Sequence, residues 1–138
     1  MEQELLLVRG LPGSGKTTEA KKRIDGNTIH IENDIFHMIN DEYDFKEALV
    51  KDAYMWVKGN VCYCLNQGNN VVVSNTFISN KTINEYVKIG LRYNCKIKII
   101  EMKEHYGNVH DVPRMVLGSM KKNWQELDEE NVKYLVEA

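Results

Sequence analysis

A continuous apolar run, Leu5-Leu6-Leu7-Val8, breaks into the loop sequence Gly10-Leu11-Pro12-Gly13-Ser14-Gly15-Lys16-Thr17-Thr18. No other stretch restricts the fold as much. A short run with no polar alternation reads as a strand buried on both faces, which is the habit of parallel sheets. The loop satisfies the pattern G-x-x-x-x-G-K-[ST] in full. Glycines let a backbone turn its N–H groups inward with no Cβ in the way. The following helix adds positive potential at its N-terminus. In such a loop the backbone from Leu11 to Thr18 cradles phosphates, Lys16 reaches the β- and γ-phosphates, and the Thr17 hydroxyl ligates Mg²⁺. The expected cofactors are therefore ATP and Mg²⁺.

The rest of the chain supplies what this loop requires. A helix is expected from Gly15 to the turn signal Asp25-Gly26-Asn27. Thr28 to Glu32 is β-branched and alternating, a second strand. Phe45, Leu49, Ala53, Val57, Val61 and Leu65 recur every fourth residue, one face of a long helix that Gly68 would cap. Val71 to Phe77 is a third strand, and Ser79 or Asn80 would cap a helix through Tyr93. Cys95 to Met102 is a fourth strand. Pro113 suits the first turn of a helix through Trp124, and a weaker amphipathic tail helix follows from Leu127. Strands alternating with helices predict an α/β fold, a parallel sheet of about four to five strands with helices on both faces.

With 138 residues there is chain for one domain, 1–138. The formal net charge of −2 gives no overall basic signal, so a nucleic-acid partner would have to be met by a local patch. Three cysteines, Cys62, Cys64 and Cys95, lack zinc-type spacing and read as reduced, buried thiols of a cytoplasmic protein. The acidic start MEQELLLVRG is too short in apolar residues for a signal peptide or a span, so no membrane partner is expected.

A phosphate loop names no reaction. No guanine-reading N-K-x-D stretch occurs. A kinase further needs a carboxylate near the acceptor hydroxyl and positive charge over the migrating phosphoryl group. Asp34 stands just beyond the second strand, where open α/β sheets place their clefts. It could take the proton of an attacking hydroxyl, or it could cap the short helix Ile35 to Asn40. His105 and His110 lack a carboxylate to complete a metal set. Tyr54, Trp56 and Tyr63 on the long helix could stack bases, but read first as core or partly buried surface.

Four stretches occur in one order: the phosphate loop, Asn33-Asp34-Ile35-Phe36, Val71 to Thr76, and Asn108 to Pro113. Together they resemble the polynucleotide-kinase-like P-loop family, which includes the kinase domain of bacteriophage 5′-polynucleotide kinase and small phage and bacterial ATP-binding proteins. The resemblance covers the chain up to Trp124. It implies that Asp34 is the general base that activates a 5′-hydroxyl of single-stranded or terminal DNA or RNA. Three departures stand out. His37 occupies the place of the family's arginine on the acceptor phosphate. Ser74-Asn75-Thr76 has no carboxylate where family members often carry an aspartate, leaving the metal to Thr17 and Asp34. Gly107 replaces the lid arginine, and Arg114 is the nearest substitute, with Lys121-Lys122 beyond it. The reading is a P-loop kinase with Lys16, Asp34 and Arg114 as catalytic groups, His37 on the acceptor, and a lid over 103–122. Its rivals are a nucleotide or small-molecule kinase and an ATP-binding module with vestigial catalysis.

Overall fold

The structure is a computed structural model that describes residues 2–32, 38–39, 42–43, 50–104 and 114–138. Its sheet is built on β1 (Glu4–Gly10), which runs parallel to β5 (Asn70–Asn75) on one side and β6 (Lys96–Met102) on the other. Outside β5 lies β2 (Thr28–Glu32), also parallel, so the order is β2-β5-β1-β6. A two-residue antiparallel pair, β3 (Met38–Ile39) with β4 (Glu42–Tyr43), stands apart. Four parallel strands match the architecture that the sequence predicts.

The apolar run of β1 is buried on both faces, as its lack of alternation requires. Leu5 and Leu7 join Ile31, Val71, Val73, Ile97 and Ile99 in the larger core cluster. Helix α2 (Val50–Asn66) brings Val57, Val61 and Leu65 to that face, and α3 (Asn80–Arg92) brings Ile83, Tyr86, Val87 and Ile89. The four-residue spacing seen in the sequence is thus the buried stripe of α2 where the structure describes it; Phe45 and Leu49 lie outside the described residues. On the opposite face Leu6, Val8, Val72 and Ile100 pack with Ala20 of α1 (Lys16–Lys21).

Caps follow the sequence closely. Ser79 accepts from the Thr82 amide at the start of α3. At the end of α2 the Gly68 amide donates to the Leu65 carbonyl and the Asn69 amide to that of Cys64, the paired bonds of a Schellman turn.

Two boundaries differ. Helix α1 ends at Lys21 rather than near Asp25, because the Arg23 and Ile24 amides bond three residues back, to Ala20 and Lys21, and tighten the chain out of the helix. The expected tail helix is only α5 (Glu129–Val132), capped by Asp128. Beyond it the chain turns, and the Ile99 amide donates to the Tyr134 carbonyl while the Val136 amide donates to that of Ile99. The open edge of β6 captures the tail as a strand-like bridge, since its unpaired backbone groups need partners. Among the described residues no helix is long and apolar enough to cross a membrane.

Candidate active site

The loop after β1 lies where the sequence puts it, between the carboxyl end of a central strand and the N-terminus of α1. Gly13 and Gly15 have φ of 82° and 90°, the left-handed region where a Cβ is penalised. Gly10 is needed for a different reason. A Cβ there would sit 2.3 Å from Ser14 Oγ and 3.0 Å from the Met102 carbonyl oxygen. The Ser14 amide closes a turn onto the Leu11 carbonyl at 3.1 Å. Lys16 Nζ donates to the same carbonyl at 3.0 Å, so the side chain arches back over the loop. Ser14 is buried, and its hydroxyl has no hydrogen-bond partner among the described residues. Left-handed glycines on both sides of a buried, unpartnered hydroxyl suit a loop that holds an anion.

Thr17, one residue on, does not face solvent alone. Its hydroxyl donates to Glu32 Oε2 at 2.9 Å. The same oxygen accepts from Ser74 Oγ at 2.7 Å. His30 Nε2 lies 2.7 Å from Ser74 Oγ and 3.5 Å from Glu32 Oε2. The Ser74 hydroxyl gives its one proton to Glu32, so it accepts from His30, which fixes the Nε2–H tautomer. Burial holds the His30 imidazole below its ordinary pKa, against the pull of Glu32, and Lys21 adds to the lowering. The ring is therefore neutral at pH 7 and works as a hydrogen-bond donor.

The strand order makes this cluster. β5 lies between β2 and β1, so the end of β2 meets Ser74 and the start of α1. His30, Glu32 and Ser74 share the face on which α1 packs. The sequence assigned no role to any of the three. The third strand offers no carboxylate at Ser74, and the one that meets Ser74 comes from the neighbouring strand, Glu32 of β2. The available signal was the alternation of Thr28 to Glu32, which puts His30 and Glu32 on one side.

Thr17 and Glu32 offer hard oxygen donors of the kind Mg²⁺ prefers. Among the described residues no three His, Cys, Asp or Glu side chains converge as a metal site.

A family model described as an AAA domain (AAA_33) matches residues 5–127. The chain belongs to this AAA-domain family. Its relatives include the uncharacterized protein PM0531 of Pasteurella multocida (strain Pm70), 26% identical over 133 residues, covering 86% of this chain and 74% of that one. Among solved structures the fold resembles a chain of the Pnkp1/Rnl/Hen1 RNA repair complex, with a TM-score of 0.61 and 20% identity. That likeness covers 96% of this chain but 42% of the other, so this chain spans less than half the length of that protein. A gluconokinase from Sinorhizobium meliloti 1021 aligns with a TM-score of 0.67 and 13% identity over 97% of this chain and 81% of its own.

In this AAA-domain protein, most of the other expected site residues are not described. Asp34, His37, His105, His110 and Pro113 lie outside the described residues. Arg114 is exposed at the first position of α4 (Arg114–Asn123), and Lys121 and Lys122 are exposed in its last turn. Tyr54 is half-buried, whereas Tyr63 is 65% exposed, more open than core packing of that helix face predicts. Cys95 is buried and Cys62 and Cys64 half-buried, all three as free thiols.

A second buried group was also missed. Arg9, the last side chain before the loop, is fully buried. It pairs with Glu101 at 2.8 Å, donates to the Phe77 carbonyl through Nε at 3.1 Å and Nη2 at 2.8 Å, and donates to the Gln125 carbonyl at 2.8 Å. Its guanidinium lies 3.8 Å from the centre of the Trp124 ring. Phe77 has a φ of 47°, an uncommon conformation for a bulky residue, and its carbonyl is held there by Arg9.

Proposed function

We propose that the chain transfers the γ-phosphoryl group of ATP to a hydroxyl, and that the acceptor is a 5′-hydroxyl of DNA or RNA. The observation that carries the nucleotide half is the loop itself, a G-x-x-x-x-G-K-[ST] sequence set between β1 and α1 with Gly13 and Gly15 left-handed and Lys16 arched back over it. Backbone N–H groups from Leu11 to Thr18 and the Lys16 ammonium would hold the phosphates, the phosphate taking the place of the Leu11 carbonyl as the lysine's partner. Bound through Thr17, Mg²⁺ would supply charge neutralisation on the phosphate oxygens. Asp34 takes the proton of the acceptor hydroxyl as its oxygen attacks the γ-phosphorus. The bond to the β–γ bridging oxygen breaks and ADP leaves. His37 meets the phosphate next to the acceptor hydroxyl, and Arg114 with the Lys121-Lys122 pair offsets the migrating charge.

The acceptor half is supported by the four stretches shared in order with the polynucleotide-kinase-like family and by the fold likeness to a chain of an RNA repair complex. A small-molecule acceptor is the second reading. It is favoured by the gluconokinase likeness, which covers most of both chains, and by the near-neutral charge. Transfer of label from γ-labelled ATP to a panel separates them: 5′-hydroxyl oligonucleotides, nucleosides, nucleoside monophosphates, sugar acids and water. Labelled oligonucleotide is the expected result. Label on a sugar acid or nucleotide alone establishes the second reading, and no transfer to any acceptor leaves an ATP-binding module.

A further inference from the structure

The Thr17 hydroxyl has one proton and two lone pairs. In this structure the proton is committed to Glu32 Oε2. Both lone pairs are thereby turned away from the carboxylate and left for a cation. Glu32 is itself steadied from a second side by Ser74, and Ser74 by His30, so side chains from α1, β5 and β2 together fix one oxygen. The Glu32 side chain is 15% exposed, enough for water to reach it but too little for it to swing freely. Ser74 stands at the end of β5, the position from which a carboxylate would otherwise act, and it carries none.

We propose that Glu32 is the positioning carboxylate of the nucleotide's metal site: it orients Thr17 toward the ion and accepts hydrogen bonds from the ion's water shell. This rests on the nucleotide-binding reading of the loop. A carboxylate in this place has two opposed effects. It attracts a divalent cation, and it repels the phosphates when no cation is present. Loss of a residue that merely props the fold would instead weaken binding equally with and without the cation.

Calorimetric titration of ATP, with Mg²⁺ and with EDTA, reads both effects in the whole chain. Wild type is expected to bind ATP more tightly with Mg²⁺. Glu32→Gln should lose about 10- to 100-fold of affinity in Mg²⁺, the usual effect of removing a group that orients a metal ligand. In EDTA the same variant should bind as tightly as wild type or tighter. Manganese binding to the ATP complex, followed by electron paramagnetic resonance, should weaken in parallel with no turnover required. Unchanged Mg²⁺-dependence in Glu32→Gln would overturn the proposal and leave the nucleotide reading standing. Equal losses in both conditions would overturn it in favour of a purely structural carboxylate. Wild type that binds ATP in neither condition refutes the nucleotide reading and this one with it. If Glu32→Gln does not fold, the double variant Glu32→Gln, Ser74→Asp returns the charge to the same cluster from β5. It should recover most of the metal effect, and failure to recover any in a folded protein counts against the proposal.

Discussion

At the scale of single residues, three side chains carry distinct and separable burdens. Lys16 is expected to make a charge-assisted contact with phosphate, so Lys16→Ala should weaken ATP binding by about 1.5–3 kcal/mol, read by calorimetry. As the proposed base, Asp34 would act on the acceptor rather than on ATP, so Asp34→Asn should keep ATP affinity and lower turnover by roughly 10²–10⁴. A stable variant at wild-type turnover would return Asp34 to a capping role. Arg9 touches neither. Its burial lowers the guanidinium's pKa and Glu101 opposes that, so the cation stays charged. Arg9→Ala would strand Glu101, the carbonyls of Phe77, Ile78 and Gln125 and the face of Trp124 together, at a cost of about 3–5 kcal/mol in urea unfolding. Lysine should not rescue it, because one ammonium cannot reach this fan of acceptors. Of these three, Lys16 is read from its motif, while Asp34 is an expectation from its position beyond the second strand and its family match. Arg9 and Glu32 were illegible because their meaning comes from neighbours far along the chain, Glu101 and Gln125 for one, Ser74 for the other.

Among the elements, the helices with one apolar stripe were the easiest to read. Val57, Val61 and Leu65 announce α2 because burial on one side imposes a period. The tail was misread for the complementary reason. Its residues are mixed in polarity, and its conformation is decided by β6, whose free backbone edge is not written in the tail. Helix α4 has no buried residue, and it runs directly into Trp124 and Gln125, which Arg9 holds. One end of this exposed helix is therefore anchored beside the base of the phosphate loop. We expect residues 103–122 to act as a lid that gains hydrogen-exchange protection when an ATP analogue binds. No change in protection would refute closure. Replacing Arg114 with alanine should then lower turnover more than ATP affinity, since charge migrates during transfer.

For the molecule as a whole, net charge and strand order matter most. A formal charge of −2 gives no overall basic signal, so a nucleic acid would have to be met by a local patch. The exposed cations of α4 are Arg114, Lys121 and Lys122. If these carry a single-stranded acceptor, the logarithm of its affinity should fall against the logarithm of salt with a slope of about −2, from roughly −0.7 per phosphate contacted. Affinity that ignores salt would point to a small acceptor. The alternation of strands and helices made the parallel sheet legible, whereas the order β2-β5-β1-β6 was not, because alternation says nothing about which strand lies beside which. That order also sets a timetable. Leu5 finds its partners at Val71 and Ile97, so the strand beneath the phosphate loop has no neighbour until much of the chain has left the ribosome. Helical stripes can form early from local contacts, while closing such long loops is slow. During synthesis, then, the apolar run that defines this protein is exposed and waiting, and the phosphate loop takes its shape only after β5 and β6 arrive.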